Sequence, residues 1–279
     1  MEGLIVKNIS NDYLVKSNDD LYLCKARGKF RKMKLIPLVG DRVIFDEKEK
    51  YLLEILERKN YLIRPSVSNV DQAFVVCSVK RPEIDTYLLD KLLTIISFYN
   101  IEPIICFTKL DLLSVDEKKG IDNYIQYYRK VGYTVVLNDD KDIILDLLKN
   151  KITVLAGQSG AGKSSLINRL DSKFELKTDD ISLALNRGKH TTRHTELYEI
   201  NHGYIVDTPG FSDVDFIGMS KMDIRDNMKE MFDGVHNCKY RDCMHVKEDG
   251  CYIKRCVNDG IILKSRYNNY CQFIRDIIS

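Results

Sequence analysis

Over residues 1–65 apolar and polar positions alternate in short stretches: GLIVKNI, DYLVKS, LYLCKAR, DRVIFDE and YLLEILE. Period-two alternation marks half-buried strands. Asn18-Asp19 and Gly40-Asp41 supply turns between them. Five short strands in this length predict a small β-barrel of the OB kind, or a compact sandwich with the same pattern. From residue 70 the pattern changes. AFVVCSV (73–79) and EPIICFT (102–108) are continuous apolar runs, as expected of strands buried on both faces. Between and after them, TYLLDKLLTIISFYN (86–100), EKKGIDNYIQYYRKVG (117–132) and DIILDLLKN (142–150) have helical spacing, and YTVVL (133–137) is a further strand. Strand alternating with helix predicts a parallel sheet with covered faces. KITVLA (151–156) continues it as a strand, and KSSLINRL follows as a helix. ELYEI and YIVD (196–200, 204–207) read as two more strands. DIRDNMKEMFDG (223–234) reads as one helix leading into a cysteine-rich tail.

The strand KITVLA runs straight into GQSGAGKSS (157–165). Gly157, Gly160 and Gly162 let the backbone curl so that N–H groups of Gln158, Ser159, Ala161 and their neighbours face phosphate oxygens. Lys163 reaches the β and γ phosphates, the Ser164 hydroxyl is placed for Mg²⁺, and Ser165 follows in the first helical turn, whose dipole favours an anion. Downstream, YIVDTPGF ends a strand at Asp207, a Mg²⁺ partner, with Gly210 placed to turn its N–H toward a γ-phosphate. Between the two lies GKHTTRHTE (188–196), where Thr191 or Thr192, with Thr192 favoured, supplies the hydroxyl that Mg²⁺ needs from a switching loop. Upstream of all three, Thr108-Lys109-Leu110-Asp111 follows the apolar strand EPIICF. Its loop therefore lies at a strand's C-terminal end, where open α/β sheets bind ligands. Asp111 can accept from guanine N1 and N2 while the Lys109 stem packs on the base. Adenine lacks those donors, so the carboxylate selects GTP over ATP.

Composition adds three constraints. No run of eighteen apolar residues occurs, so no membrane span is expected. The N-terminus MEGLIVKNIS lacks a secretory pattern, so a cytoplasmic protein is expected. The net charge of +2 excludes a global basic field, so any nucleic-acid surface must be a local patch. ARGKFRKMK offers one: Arg27, Lys29, Arg31, Lys32 and Lys34 around Phe30, cations for phosphates and a ring for a base. The tail cations, Arg266 among them, offer a second. Five of the eight cysteines lie beyond residue 237. In a reducing compartment such clustering argues for metal before disulfides. Cys238, Cys243, His245 and Cys251 make a closed set of three thiolates and one imidazole, the donor set of a structural Zn²⁺. Nothing in the sequence demands a dimer, and a monomer is expected.

In most GTP-binding proteins the phosphate loop precedes the base-reading loop. Here the order is TKLD, GQSGAGKSS, GKHTTRHT, DTPGF, then C-x4-C-x-H-x5-C. That ordered set, with RPSVSNVDQAFVV (64–76) and ARGKFRK, resembles the circularly permuted, ribosome small-subunit-dependent GTPases, over essentially the whole chain. The resemblance implies a multidomain α/β protein with an OB-fold barrel (1–65), a circularly permuted P-loop GTPase core (66–218) and a small C-terminal zinc domain (219–279). It implies GTP and GDP with Mg²⁺, one Zn²⁺, the 30S subunit with its 16S rRNA as partner, and late small-subunit assembly as the setting. It also supports a catalytic role for His190, since Phe211 stands where many GTPases carry a water-orienting Gln. Two positions depart from the general GTPase pattern: Thr108 replaces the usual Asn, and LNDD follows YTVVL where Ser-Ala is usual. The competing readings are a P-loop ATPase and a zinc-containing rRNA-binding module that holds GTP as a structural ligand.

Overall fold

The structure, a computed structural model, describes residues 1–10, 12–63, 65–171, 195–206 and 215–277. His190, Thr191, Thr192, Asp207, Gly210 and Phe211, and the side chain of Arg31, lie outside the described residues. The chain divides into two compact units: one of 1–73, 140–155 and 163–211, the other of 74–139, 156–162 and 212–279.

The first unit opens with the alternating strands β1 (Glu2–Ile9), β2 (Asp12–Ser17) and β3 (Asp20–Ala26), then a short helix α1 (Gly28–Lys32), then β4 (Arg42–Asp46) and β5 (Tyr51–Ile55). They close into a barrel in the order β1-β2-β3-β5-β4, with β3 and β5 parallel and the other pairs antiparallel. Closure selects the OB-like barrel over the sandwich. The inward set, Ile5, Val15, Cys24, Val43, Phe45 and Leu52, is fully buried, as period-two patterning requires.

Gly40 has φ +91 and sits against the Ser68 carbonyl, where a Cβ would lie 2.2 Å away. The next residue, Asp41, is buried and fully engaged. It accepts from Arg58 Nε and Nη2, each at 2.7 Å, from Ser68 Oγ at 2.6 Å and from the Leu38 amide at 2.7 Å. A bidentate Arg–carboxylate pair with its remaining lone pairs satisfied is the favourable case for a buried ion pair. It pins the barrel to the segment carrying β6 (Tyr61–Leu62) and β7 (Val67–Ser68), which pair antiparallel.

The central sheet begins with β8 (Gln72–Ser78), followed by α2 (Thr86–Phe98), β9 (Glu102–Thr108), α3 (Val115–Val131), β10 (Thr134–Leu137), α4 (Lys141–Leu148), β11 (Ile152–Ala156) and α5 (Lys163–Leu170). In the second unit the strands stand in the order β10-β9-β8, and in the first the hairpin β12 (Leu197–Ile200) and β13 (Gly203–Val206) adds to β11 in the order β11-β13-β12. β8 and β11 are buried at every position, as continuous apolar runs predict. α3 starts with a Ser114–Glu117 capping box and ends at Gly132, φ +95. In the first unit β12 is tied to the barrel by Lys7–Glu196 and Lys16–Glu199 ion pairs.

Beyond residue 220 the expected single helix is two, α6 (Lys221–Asp226) and α7 (Lys229–Gly234). The break is at Asn227-Met228: Asn227 caps α6, its side chain donating to the Asp223 carbonyl at 2.8 Å, and Met228 turns extended to bury its side chain completely. α8 (Tyr252–Asn258) and α9 (Lys264–Asp276) follow. Within the second unit these helices share a core with α2 through Ile95, Met228, Met231, Tyr270 and Phe273. No helix among the described residues is long and apolar enough to cross a membrane.

Removing the Asp41 carboxylate strands the mostly buried Arg58 guanidinium. Asp41→Ala is expected to cost about 3–5 kcal/mol. Urea unfolding followed by tyrosine fluorescence reads this, since the chain has no tryptophan.

Candidate nucleotide site and metal centre

The phosphate loop owes its shape to three glycines with positive φ: Gly157 at +130, Gly160 at +73 and Gly162 at +99. At Gly157 the loop crosses β8 so closely that a Cβ would lie 2.2 Å from the Val76 carbonyl oxygen. Only glycine satisfies both the backbone angle and that contact. Ala161 is fully buried, Gln158 half-buried, and Ser159 and Gly160 exposed. α5 begins at Lys163, with Ser164 buried and Ser165 exposed in its first turn. Burial pushes the Lys163 ammonium down to about 8.

Thr108 and Lys109 meet this loop. Thr108 is 3% exposed, and its hydroxyl donates to the Ala161 carbonyl at 2.6 Å. The methyl and hydroxyl of Thr108 also lie within 3.8 Å of where a Gly162 Cβ would be. The hydroxyl thus makes a direct tether to the phosphate loop from the position where Asn is usual. Lys109, in a left-handed conformation (φ 63), donates to the Gly160 carbonyl at 2.7 Å and to the Arg81 carbonyl. Asp111 is exposed in the following 3-10 turn, Leu110–Leu112. The segment 80–83 escaped sequence reasoning. It borders the loop through the Arg81 carbonyl and through Gln158 Nε2, which donates to the Glu83 carbonyl at 3.3 Å. No side-chain chemistry marks it, because the contacts use its backbone.

The four tail ligands come together. One ligand atom each from Cys238, Cys243, His245 and Cys251 lie within 4.8 Å of one another. Cys238 Sγ is 3.9 Å from Cys251 Sγ and 3.5 Å from His245 Nδ1, and Cys251 Sγ is 3.4 Å from Nδ1. Tetrahedral Zn²⁺ bonds require S–S separations of about 3.8 Å and S–N separations of about 3.5 Å. The donor set therefore fits a metal ion. His245 Nε2 lies 3.0 Å from the Met231 carbonyl, which can only accept. The ring proton is thus on Nε2, and the Nδ1 lone pair faces the cluster. Burial lowers the His245 pKa, keeping the ring neutral, and pushes the Cys243 thiol up to about 12, so a cation is needed to hold the thiolate. The Glu248 carboxylate accepts from the amides of Met244, Val246 and Lys247 at 2.9–3.0 Å and fixes the ligand loop. Cys256 is buried outside the cluster, and His236 is exposed.

Two basic-patch readings need correction. Arg27, Lys29, Lys32 and Lys34 are exposed, but Phe30 is 3% exposed. The alternating strand pattern ends before α1, and the helical turn directs the ring into the core, so it is not available to stack on a base. Arg266 is 1% exposed and belongs to no surface footprint. Charge type alone does not reveal that carboxylates wait for it inside.

A parallel sheet with a glycine phosphate loop, a TKLD loop bonded to it but preceding it in the chain, and a tail whose Cys3His cluster could hold a metal ion define a circularly permuted P-loop GTPase. The RsgA GTPase family profile covers residues 55–217, and that of the RsgA N-terminal domain covers residues 2–51. The small ribosomal subunit biogenesis GTPase RsgA of Bacillus cereus (strain ATCC 10987 / NRS 248) is 44% identical over 284 residues, spanning 99% of this chain and 97% of that protein. Its Bacillus pumilus counterpart is 46% identical over 289 residues, with the same coverage of both chains. Among solved structures, YloQ, a circularly permuted GTPase, matches with a TM-score of 0.84 at 38% identity, covering 99% of this chain and 94% of that one. YjeQ from Thermotoga maritima matches with a TM-score of 0.84 at 33% identity, covering 99% and 97%. The chain belongs to the RsgA GTPase family.

The Lys163 shift gives nucleotide binding a pH signature. The ammonium is charged below about 8 and neutral above it, while a bound polyphosphate favours the charged form. Nucleotide affinity is expected to be flat below about pH 8 and to fall up to about tenfold per unit above it. Titrating a fluorescent GDP analogue between pH 7 and 9.5 checks this. Lys163→Met should bind weakly and lose the slope.

Proposed function

We propose that this protein hydrolyses GTP to GDP and phosphate at the small ribosomal subunit, in the late assembly of that subunit, with turnover stimulated by the subunit. The observation that carries the nucleotide reading is the pair of tethers from Thr108 and Lys109 to the phosphate loop. They support a site in which one loop holds the phosphates and Asp111 accepts from guanine. The reading takes 1–65 as an OB-fold RNA-binding domain, 66–218 as the permuted GTPase domain and 219–279 as the zinc-binding domain of a cytoplasmic monomer. The exposed cations Arg27, Lys29, Lys32 and Lys34 would meet 16S rRNA phosphates, with Arg31 part of the same segment. Cys238, Cys243, His245 and Cys251 would hold a structural Zn²⁺ with no open position.

Gly157 to Ser165 would bind the polyphosphate through backbone N–H groups and Lys163. Ser164, Thr192 and Asp207 would hold Mg²⁺, with Thr191 the alternative threonine, and Gly210 would contact the γ-phosphate. When bound, Mg²⁺ neutralises charge on the β and γ phosphates. Phe211 cannot orient an attacking water, so this role goes to His190 in the segment beside the threonines.

Turnover measured with and without 30S subunits tests the reading. Low hydrolysis alone and strong stimulation by the subunit are expected, with GTP but not ATP competing for the site. No stimulation would instead favour an RNA-binding module that holds GTP as a structural ligand. His190→Ala should lose about 10²–10⁴-fold of the stimulated rate while GTP affinity stays intact. Retention of full stimulated turnover would remove His190 from the mechanism.

A further inference from the structure

Within the second unit, helix α9 bonds both to the ligand loop and to α2. On one face, Tyr267 and Tyr270 hold the ligand loop by its backbone: Tyr267 OH donates to the His245 carbonyl at 2.7 Å and Tyr270 OH to the Met244 carbonyl at 2.6 Å. On another, Arg266 is wholly buried between two carboxylates. Its Nη1 donates to Asp90 at 2.6 Å, and its Nε and Nη2 to Glu230 at 2.8 and 3.1 Å. Asn269 and Tyr128 complete the shell of Asp90, at 2.7 and 2.6 Å. Tyr127 donates to Glu230 at 2.6 Å, and Arg266 Nη2 donates to Tyr133 OH at 3.1 Å.

Asp90 sits in α2, whose first turn is capped by Asp85 accepting from the Leu88 amide at 2.9 Å. Directly before that cap runs the segment 80–83, which borders the phosphate loop through Lys109 and Gln158. Hydrogen bonds therefore lead from the ligand loop through α9 to α2, and chain adjacency before the Asp85 cap carries the path on to the segment at the rim of the nucleotide site. Parting Asp90 from Arg266 would leave buried unpaired charges, a cost of several kcal/mol, so α2 and α9 respond together.

We propose that α9 couples the two sites, so that metal held by the cluster strengthens nucleotide binding, with Arg266 as the positioning residue at the centre of the coupling. This rests on the metal and nucleotide readings above. By linkage the effect is reciprocal: bound nucleotide tightens metal retention by the same factor.

The test uses the full chain with Mg²⁺ in excess and a zinc-selective chelator. Affinity for a fluorescent GDP analogue is measured before and after the metal is stripped. In the wild type, stripping should weaken affinity about fivefold or more. Arg266→Met should keep one metal ion per chain, bind nucleotide at the stripped level and no longer respond to the chelator. Unchanged wild-type affinity on stripping, or a wild-type response in Arg266→Met, overturns the proposal. A chain with no stoichiometric metal, or no nucleotide binding at all, fails one of the underlying readings instead, and the two failures are distinct. Should Arg266→Met not fold, hydrogen exchange on the wild type decides. Stripping should raise exchange in α9 and α2 and leave β1–β5 unchanged, and a rise confined to 238–251 overturns the proposal.

Discussion

The arrangement of the second unit depends on one buried cation. Arg266 is surrounded by Asp90 from α2, Glu230 from α7 and the hydroxyl of Tyr133. Burial works against its charge, and the carboxylates of Asp90 and Glu230 outweigh that cost and raise its pKa well above the ordinary value. Such a group stabilises by geometry more than by net energy: a well-packed apolar set fills the same space at similar stability, whereas loss of one partner is severe. Its value here is register. Four helices, α2, α3, α7 and α9, supply donors and acceptors, with Tyr133 added from the turn after α3. The apolar core of Ile95, Met228, Met231 and Phe273 closes around that fixed point.

The nucleotide site follows a different principle. Its residues are held chiefly by main chain. Gly157 passes over the Val76 carbonyl, Thr108 and Lys109 bond to the carbonyls of Ala161 and Gly160, and Gln158 reaches that of Glu83. Outside donors thus fix the loop through the carbonyls of Gly160 and Ala161, while the Ala161 N–H closes a turn on the Gln158 carbonyl at 3.2 Å. The hydroxyl of Thr108 supplies the one donor this tether needs, at 2.6 Å. Reversing the order of the motifs along the chain changes none of these contacts. Spatial neighbourhood is set by the bonds from Thr108 and Lys109 to the loop, and these do not depend on which motif comes first.

The metal centre combines both principles. Its ligands are legible as residue types, but their geometry is enforced by groups of no diagnostic type: the Met231 carbonyl on His245, the Glu248 carboxylate on three amides, and two tyrosines of α9 on the neighbouring carbonyls. Each removes a degree of freedom from the loop, so a metal ion held there would cost less ordering entropy.

The sequence by itself determined the barrel strands, the parallel sheet, the phosphate loop, the TKLD loop and the four tail ligands. All of these are written in local periodicity or in residue types at fixed spacing. Period two against period 3.6 separates strand from helix, and glycine spacing or Cys/His clustering has few other physical uses. Tertiary structure decided the rest. Phe30 reads as an exposed ring in a basic run, yet it is buried, because a helical turn replaces the strand alternation there. Arg266 reads as one more surface cation, yet Asp90 and Glu230, distant in sequence, enclose it. The break between α6 and α7 depends on a core that takes up Met228, which no local propensity announces. Thr108 looks like a weakened base-reading residue until the Ala161 carbonyl is found 2.6 Å from its hydroxyl. For Arg266 and Thr108 the deciding partner lies far along the chain, and only folding brings it within bonding distance.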